Sequence, residues 1–142
     1  MRLVPLALML GCAPASTSAA LPDADRADFA GVVQPRLALH CAYSGCHGDP
    51  GRPYAVYARS AWRADPDDVL DDPPLTEAEL DANFDQTRAL LFGMTEPIDS
   101  LLLSRPLARD AGGSAHGGGI QFTDTTDPDY RALEAWVQGA LP

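Results

Sequence analysis

The stretch Cys41-Ala-Tyr-Ser-Gly-Cys46-His47 decides how this chain is read. Two thiols and an imidazole arrive together, directly behind a predicted helix. Two thiols can add to the two vinyl groups of a haem and make thioethers. The His beside the second thiol is then placed under the iron, where a ring nitrogen can ligate it. The usual signature is Cys-x-x-Cys-His, whereas here the spacer is four residues. The longer spacer must bulge outward to keep both sulfurs at the porphyrin edge, and Gly45 permits the backbone such a turn. Two other readings use the same residues. A Cys41–Cys46 disulfide could close a small loop in an exported protein and leave His47 an ordinary surface residue. A zinc site could draw on His40, Cys41, Cys46 and His47, although neighbours on one short segment rarely close a tetrahedron.

Working outward from this stretch, the pattern is helical. Asp23 to Leu39 is the first helix candidate, with Phe29, Val33 and Leu37 on one face and a kink or restart expected at Pro35. Residues 50–75 are irregular, and their acidic run from Asp65 to Asp72 lacks the ligand alternation and turn Gly of a calcium loop. Thr76 and Glu79 form a capping box. The helix behind it is expected to reach about Phe92, with Leu80, Phe84, Thr87 and Leu91 inward and Gly93 as its stop. Leu101 to Leu103 is a short buried turn of helix ending before Pro106. Asp127-Pro128 opens the last helix, which turns Tyr130, Leu133, Trp136 and Val137 inward and closes at Gly139. No stretch alternates with period two for long enough to argue a sheet. The fold class is therefore all-α, three to five short helices with long Pro/Gly-rich loops.

Composition narrows the function. The chain has 142 residues, 20 acidic and 10 basic, all of the latter Arg, for a formal net charge of −10. Such a chain repels phosphate backbones, so no nucleic-acid partner is expected. Three Cys are too few for a disulfide-dense scaffold. Residues 1–11 carry one positive charge and the apolar run Leu3 to Leu10, too short to span a bilayer and suited to a secretory signal. Leu10-Gly11-Cys12 resembles the lipobox of bacterial lipoproteins, in which the Cys is lipidated and becomes the new N-terminus. The alternative is an ordinary signal peptide cut near Ser18-Ala19-Ala20. The expected organisation is a lipoprotein signal peptide over 1–11, a flexible tether over 12–24 and one domain over 25–142. The domain is then exported and anchored through Cys12 to the periplasmic face of a bacterial membrane. Ala13 at the second mature position points to the outer membrane.

The order of motifs resembles the small extracytoplasmic c-type cytochrome domains of planctomycete and myxobacterial type, in a Cys-x4-Cys-His variant. It includes Phe29…Val33-x-Pro35-x-Leu37…Cys41, then Cys46-His47-Gly48, then Ser100-x-Leu102-Leu103-x-x-Pro106-Leu107, then His116-Gly-Gly-Gly119, then Tyr130-x-x-Leu133-x-x-Trp136-Val137-x-Gly139-Ala140. The resemblance implies a cytochrome c-like fold around one haem c per chain, with the first and last helices crossing and the haem between them. It also implies covalent attachment through Cys41 and Cys46 and ligation of the iron by His47. A His before Gly-Gly recurs in the resembling domains, and His116 is the first choice for the opposite face. Met94, in a loop behind a helix with Pro97 nearby, is the second choice.

Further expectations are coarser. Arg52, Arg59, Arg63 and Arg105 are candidates to pair the haem propionates. Tyr54, Tyr57 and Trp62 are candidates to wall its edge. The expected role is a tethered periplasmic electron carrier rather than a catalyst, meeting a redox partner with a basic patch. Two competitors stand beside it. One is a haem-free exported lipoprotein stapled by Cys41–Cys46, serving as a binding or structural module. The other is a small haem enzyme or sensor with an open iron face.

Overall fold

Pro35 shapes the first helix. In a computed structural model that describes residues 20–141, three pieces run on as one helix, α1: Arg26–Asp28, Phe29–Val33 and Gln34–His40. The middle piece is a π turn. Proline has no N–H to donate, and its ring crowds the carbonyl four residues back. The wider turn absorbs the misfit. Gln34 N–H reaches back to Phe29 O, and Arg36 Nη1 donates to Val32 O at 2.7 Å. The kink or restart expected at Pro35 is thus a π-bulge in a continuous helix. Asp25 caps it, its carboxylate accepting from Asp28 N–H at 2.7 Å. Phe29, Val33 and Leu37 are fully buried, as their spacing predicts.

Four further helices follow: α2 (Asp68–Asp71), α3 (Glu77–Ala89), α4 (Leu101–Ser104) and α5 (Pro128–Gly139). Single 3-10 turns occur at Pro97–Asp99 and Arg109–Ala111. Among the described residues there is no strand, only one isolated bridge between Leu107 and Phe122. The all-α expectation therefore holds. No described helix is long and apolar enough to cross a membrane. The signal peptide, the lipidation expected at Cys12 and the first part of the tether, residues 1–19, lie outside the described residues. Ala24, assigned to the tether, is 7% exposed and packs in the core.

The first and last helices hold each other at two points. Asp127 caps α5, accepting from Asp129 N–H at 2.8 Å and Tyr130 N–H at 3.2 Å. Trp136 Nε1 donates to Asp25 O at 2.8 Å, at the start of α1. Asp129 meets the far end of α1, with Arg36 Nε at 3.0 Å and His40 Nε2 at 2.8 Å. The two helices therefore run side by side in opposite directions. Phe29, Phe84 and Trp136 fill the space between α1, α3 and α5, their ring centroids 5.3 to 6.5 Å apart.

Helix α3 departs from its predicted face. The capping box forms: Thr76 Oγ1 accepts from Glu79 N–H at 3.2 Å and Glu79 Oε2 accepts from Thr76 N–H at 2.8 Å. The helix ends at Ala89, and tight turns carry the chain to Gly93 at φ +75°. The deeply buried stripe, however, is Glu79, Asn83 and Thr87, while Leu80 and Phe84 are half-buried. Thr87 and Leu91 of the predicted stripe are buried, and only at Leu80 and Phe84 is the face rotated by one residue, about 100°. The cause lies in the irregular segment against which α3 packs. That segment has no sheet to satisfy its backbone, so polar side chains of α3 do so. Asn83 pairs with both backbone groups of Tyr57, Gln86 Oε1 accepts from Ala55 N–H at 3.3 Å, and Glu79 Oε1 accepts from Ala64 N–H at 2.8 Å.

Candidate functional site

Helix α1 delivers the thiol–imidazole stretch. Cys41 N–H and Ala42 N–H both donate to Leu37 O at 2.9 Å, closing the helix. The loop then folds on itself. Cys46 N–H and Gly48 N–H donate to Tyr43 O at 2.8 and 3.0 Å, and His47 N–H donates to Cys41 O at 3.0 Å. The glycine this requires is Gly48, not Gly45. A Cβ on Gly48 would lie 2.2 Å from Ala42 O, whereas one on Gly45 would meet nothing within 4 Å. The Gly45 expectation is corrected accordingly.

Two imidazoles face one another at this loop. The rings of His47 and His116 have centroids 5.9 Å apart and planes 12° from parallel. His47 Nδ1 lies 2.8 Å from Tyr54 O, and His116 Nδ1 lies 3.0 Å from Gly119 O. A carbonyl can only accept, so in each ring Nδ1 is the donor and Nε2 keeps its lone pair. This is the arrangement by which metal-ligating histidines are oriented. The centroid distance is too long for ring contact. Gly119, at φ +82°, closes the turn that aims His116, its N–H donating to His116 O at 3.1 Å.

Two cavities flank this pair. One, of about 460 Å3, is lined by Cys41, His47, Tyr54, Leu102, Pro106 and His116, among others. The other, of about 300 Å3, is lined by Cys46, His47, Arg52, Pro53, His116 and Gln121, among others. His47 and His116 belong to both, and each cavity has one thiol. Both thiols are free. Burial, then the neighbouring Cys46, push the Cys41 thiol up to about 12, so it stays protonated at neutral pH and is a poor nucleophile by itself. Burial and then Cys41 likewise push the Tyr54 phenol up; its hydroxyl lies 3.0 Å from Thr87 Oγ1.

The other sequence candidates sort clearly. Arg52 and Arg105 line these cavities, and neither has a close carboxylate: Arg52 has only Asp49 at 4.0 Å, and none of the described carboxylates pairs with Arg105. Arg59 is paired with Asp72 at 2.8 Å and Arg63 is buried against Glu79 at 3.0 Å, so those two are structural. Tyr54 walls the larger cavity, whereas Tyr57 and Trp62 stack on each other, centroids 3.9 Å apart, and do not line either. Met94 is 8% exposed and lines a separate cavity with Leu91, Gly139 and Leu141. His40 is held by Asp129 and packs 5.0 Å from the Phe122 ring. Among the described residues no three His, Cys, Asp or Glu side chains converge as a metal donor set, so the zinc grouping with His40 does not assemble. The two carbonyls that fix the histidines could not be read beforehand, because a backbone acceptor has no residue signature. Gly48 did have one, the Cys-His-Gly order.

No family model matches the chain, and neither a curated protein nor a solved structure matches it.

Proposed function

We propose that this chain is a monohaem c-type cytochrome that carries electrons, with a cytochrome c-like arrangement of its helices. The observation that carries the reading is the paired imidazoles: two rings 5.9 Å apart, each anchored through Nδ1 to a carbonyl, beside two free thiols. These residues fit a haem. Cys41 and Cys46 would hold it covalently, His47 would ligate its iron, and His116 would take the opposite face. When bound, the haem supplies a reversible one-electron couple, and ligation by two histidines sets its potential lower than His/Met ligation would.

The protein's own part is binding and orientation. The Tyr54 and Gly119 carbonyls hold the two rings. Tyr54, Leu102 and Pro106 present an apolar wall that limits water at the site. The excess of acidic residues suits docking to a basic patch on a redox partner, with association that weakens in salt. Export, a lipid anchor on Cys12 and an outer-membrane position belong to the same proposal.

A haem stain of the denatured protein tests it, after expression with its own leader in a host that matures c-type cytochromes. A stained band, lost in Cys41→Ala/Cys46→Ala, is expected. No stain, together with a Cys41–Cys46 disulfide by mass, would replace it with the haem-free stapled lipoprotein.

A further inference from the structure

We infer that residues 115–120 form a hinged flap that lifts His116 off the site and opens the face it covers to a small diatomic ligand of the carbon monoxide and nitric oxide kind. The ligand rests on the haem reading proposed above; the flap does not. Both ends of the flap are pinned to one short segment. Gly113 N–H donates to Ala108 O at 2.9 Å, and Ser114 N–H donates to Ser104 O at 2.7 Å. Gln121 N–H and Phe122 N–H donate to Pro106 O at 2.9 and 3.1 Å. Gly113 is packed so closely that a Cβ there would lie 2.0 Å from Leu107 O. A loop whose ends meet in this way is a self-contained surface unit. Between the anchors, one described hydrogen bond reaches in from the body of the domain: Arg105 Nη1 donates to Ala115 O at 2.7 Å. Gln121 Nε2, at the edge of the flap, donates to Gly118 O at 3.3 Å. Ala115, Gly117, Gly118, Gly119 and Ile120 are exposed.

The two histidines are anchored unequally, and this asymmetry carries the inference. The carbonyl that holds His47 belongs to a segment fixed from α3. There the Tyr54 hydroxyl lies 3.0 Å from Thr87 Oγ1, and Ala55 N–H donates to Gln86 Oε1 at 3.3 Å. Val56 N–H also donates to His47 O at 2.6 Å. The carbonyl that holds His116 belongs to the flap itself. His116 Nδ1 donates to Gly119 O at 3.0 Å, and Gly119 N–H returns to His116 O at 3.1 Å. The ring lies so close on its own loop that a Cβ at Gly118 would stand 3.1 Å from His116 Cε1. His116 and the group that orients it can therefore leave together. Lifting the flap breaks neither of those bonds and costs the Arg105–Ala115 bond. Exposed segments with few bonds to the core are the ones that open first. The cavity of about 300 Å3 beside Cys46 and His47 has His116, Gly117 and Gly118 in its wall, so the departing flap widens it opposite His47. The exchange balances: His116 Nε2 withdraws with its lone pair and the diatomic ligand donates one in its place, with no electron or proton transferred.

Stopped-flow mixing of the reduced, haem-loaded full chain with carbon monoxide, and separately with nitric oxide, tests the exchange. If the flap must lift first, the observed rate levels off at high ligand, at the opening rate and at the same value for both gases. Arg105→Ala removes the latch and should raise that plateau about three- to tenfold. His116→Ala should abolish the plateau and leave a rate that rises in proportion to the gas. Proportional rates in the wild type, unequal plateaus, no binding of either gas, or a plateau unmoved by R105A overturns the ligand exchange. The flap has its own readout, amide order parameters of His116→Ala in the haem state in which it is isolated. Residues 115–120 should fall below about 0.6, the flexible range, while Leu107 and Phe122 stay near about 0.85. Values near about 0.85 throughout overturn the flap. If the stain shows no haem, the diatomic ligand falls with the electron-carrier reading, and the order parameters still decide whether the flap exists.

Discussion

Asn83 spends both ends of its amide on Tyr57: Oδ1 accepts from Tyr57 N–H at 2.9 Å and Nδ2 donates to Tyr57 O at 2.8 Å. Gln34 of α1 completes the knot, its Oε1 accepting from Asn83 Nδ2 at 2.8 Å and its Nε2 donating to Tyr57 O at 3.0 Å. The segment so fixed carries Tyr54, whose carbonyl orients His47. A polar contact between α1 and α3 therefore reaches the candidate site through three residues of backbone. The inward polar face of α3 is the means by which an irregular segment becomes a rigid one.

Asn83→Ala tests that role. It leaves the Tyr57 N–H and the Gln34 amide short of partners in a buried place, where each unsatisfied group costs about 1–3 kcal/mol. A loss of roughly 2–4 kcal/mol is expected in urea unfolding. A loss below about 0.5 kcal/mol, the range of ordinary surface changes, would mean that the segment holds without Asn83.

The Arg63–Glu79 pair gives a pH dependence. Both side chains are almost wholly buried. Burial opposes ionisation of Glu79, but hydrogen bonds from Arg63, Ala64 N–H and Thr76 outweigh it and hold the carboxyl down to about 2. Its folded value lies below its unfolded value of about 4.3. The stability it contributes is therefore complete above that unfolded value and is lost as pH falls towards 2. Glu79→Gln should cost about 3–5 kcal/mol at pH 7, because Arg63 is left buried and uncompensated, and should flatten the acid limb of stability against pH. An unchanged acid limb in the variant would assign that limb to other carboxylates.

What could be read beforehand follows locality. Helix α5 was legible whole, since Asp127, Pro128 and the Tyr130–Leu133–Trp136–Val137 stripe are signals within a single helix. The start of α3 was legible for the same reason. Its buried face was legible at Thr87 and Leu91 but not in the first turns, where Leu80 and Phe84 look like a core stripe until one knows that the neighbouring segment needs hydrogen bonds more than apolar cover. The thiol pair, His47 and His116 stood out by residue type. The choice among the arginines did not, since Arg63 differs from Arg105 only in which carboxylates the fold brings to it.

The two distal candidates separate in the spectrum of haem-loaded protein. Met94 packs in the core and lines a different cavity, so Met94→Leu should leave the visible spectrum unchanged and cost under about 1.5 kcal/mol, as volume-conserving swaps do. His116→Ala should remove a strong-field ligand, shift the spectrum towards a high-spin form and allow added imidazole to restore it. The reverse pattern would assign the opposite face to Met94.

The thiols should differ in reactivity when haem is absent. With its pKa raised to about 12, Cys41 holds on the order of a thousandfold less thiolate at pH 8 than an ordinary thiol. Iodoacetamide labelling of Cys41 in folded, haem-free protein should be slow by a comparable factor and should still be rising at pH 10 to 11. Folding favours the protonated thiol, so this contribution to stability is full below the unfolded value of about 8.5 and declines as pH rises through 12. A labelling rate that levels off near pH 9 would contradict the burial of Cys41.

The loop that carries Cys46 and His47 offers the sharpest contrast, because two glycines three residues apart should behave in opposite ways. At Gly48 a methyl group would stand 2.2 Å from Ala42 O and 3.0 Å from the Tyr43 carbonyl carbon, both backbone. Neither can swing away, so the chain must open the Gly48–Tyr43 hydrogen bond that closes the loop. At Gly45 a methyl group points into open space and φ is not in the left-handed region, so it should be neutral or slightly stabilising through the unfolded chain. Gly48→Ala should cost at least about 2 kcal/mol and sharply reduce the yield of haem-stained protein. Gly45→Ala should leave both within error. Equal tolerance at the two positions would mean that the loop bearing Cys46 and His47 is not held in the turn described, and the positions assigned to both residues would have to be redrawn.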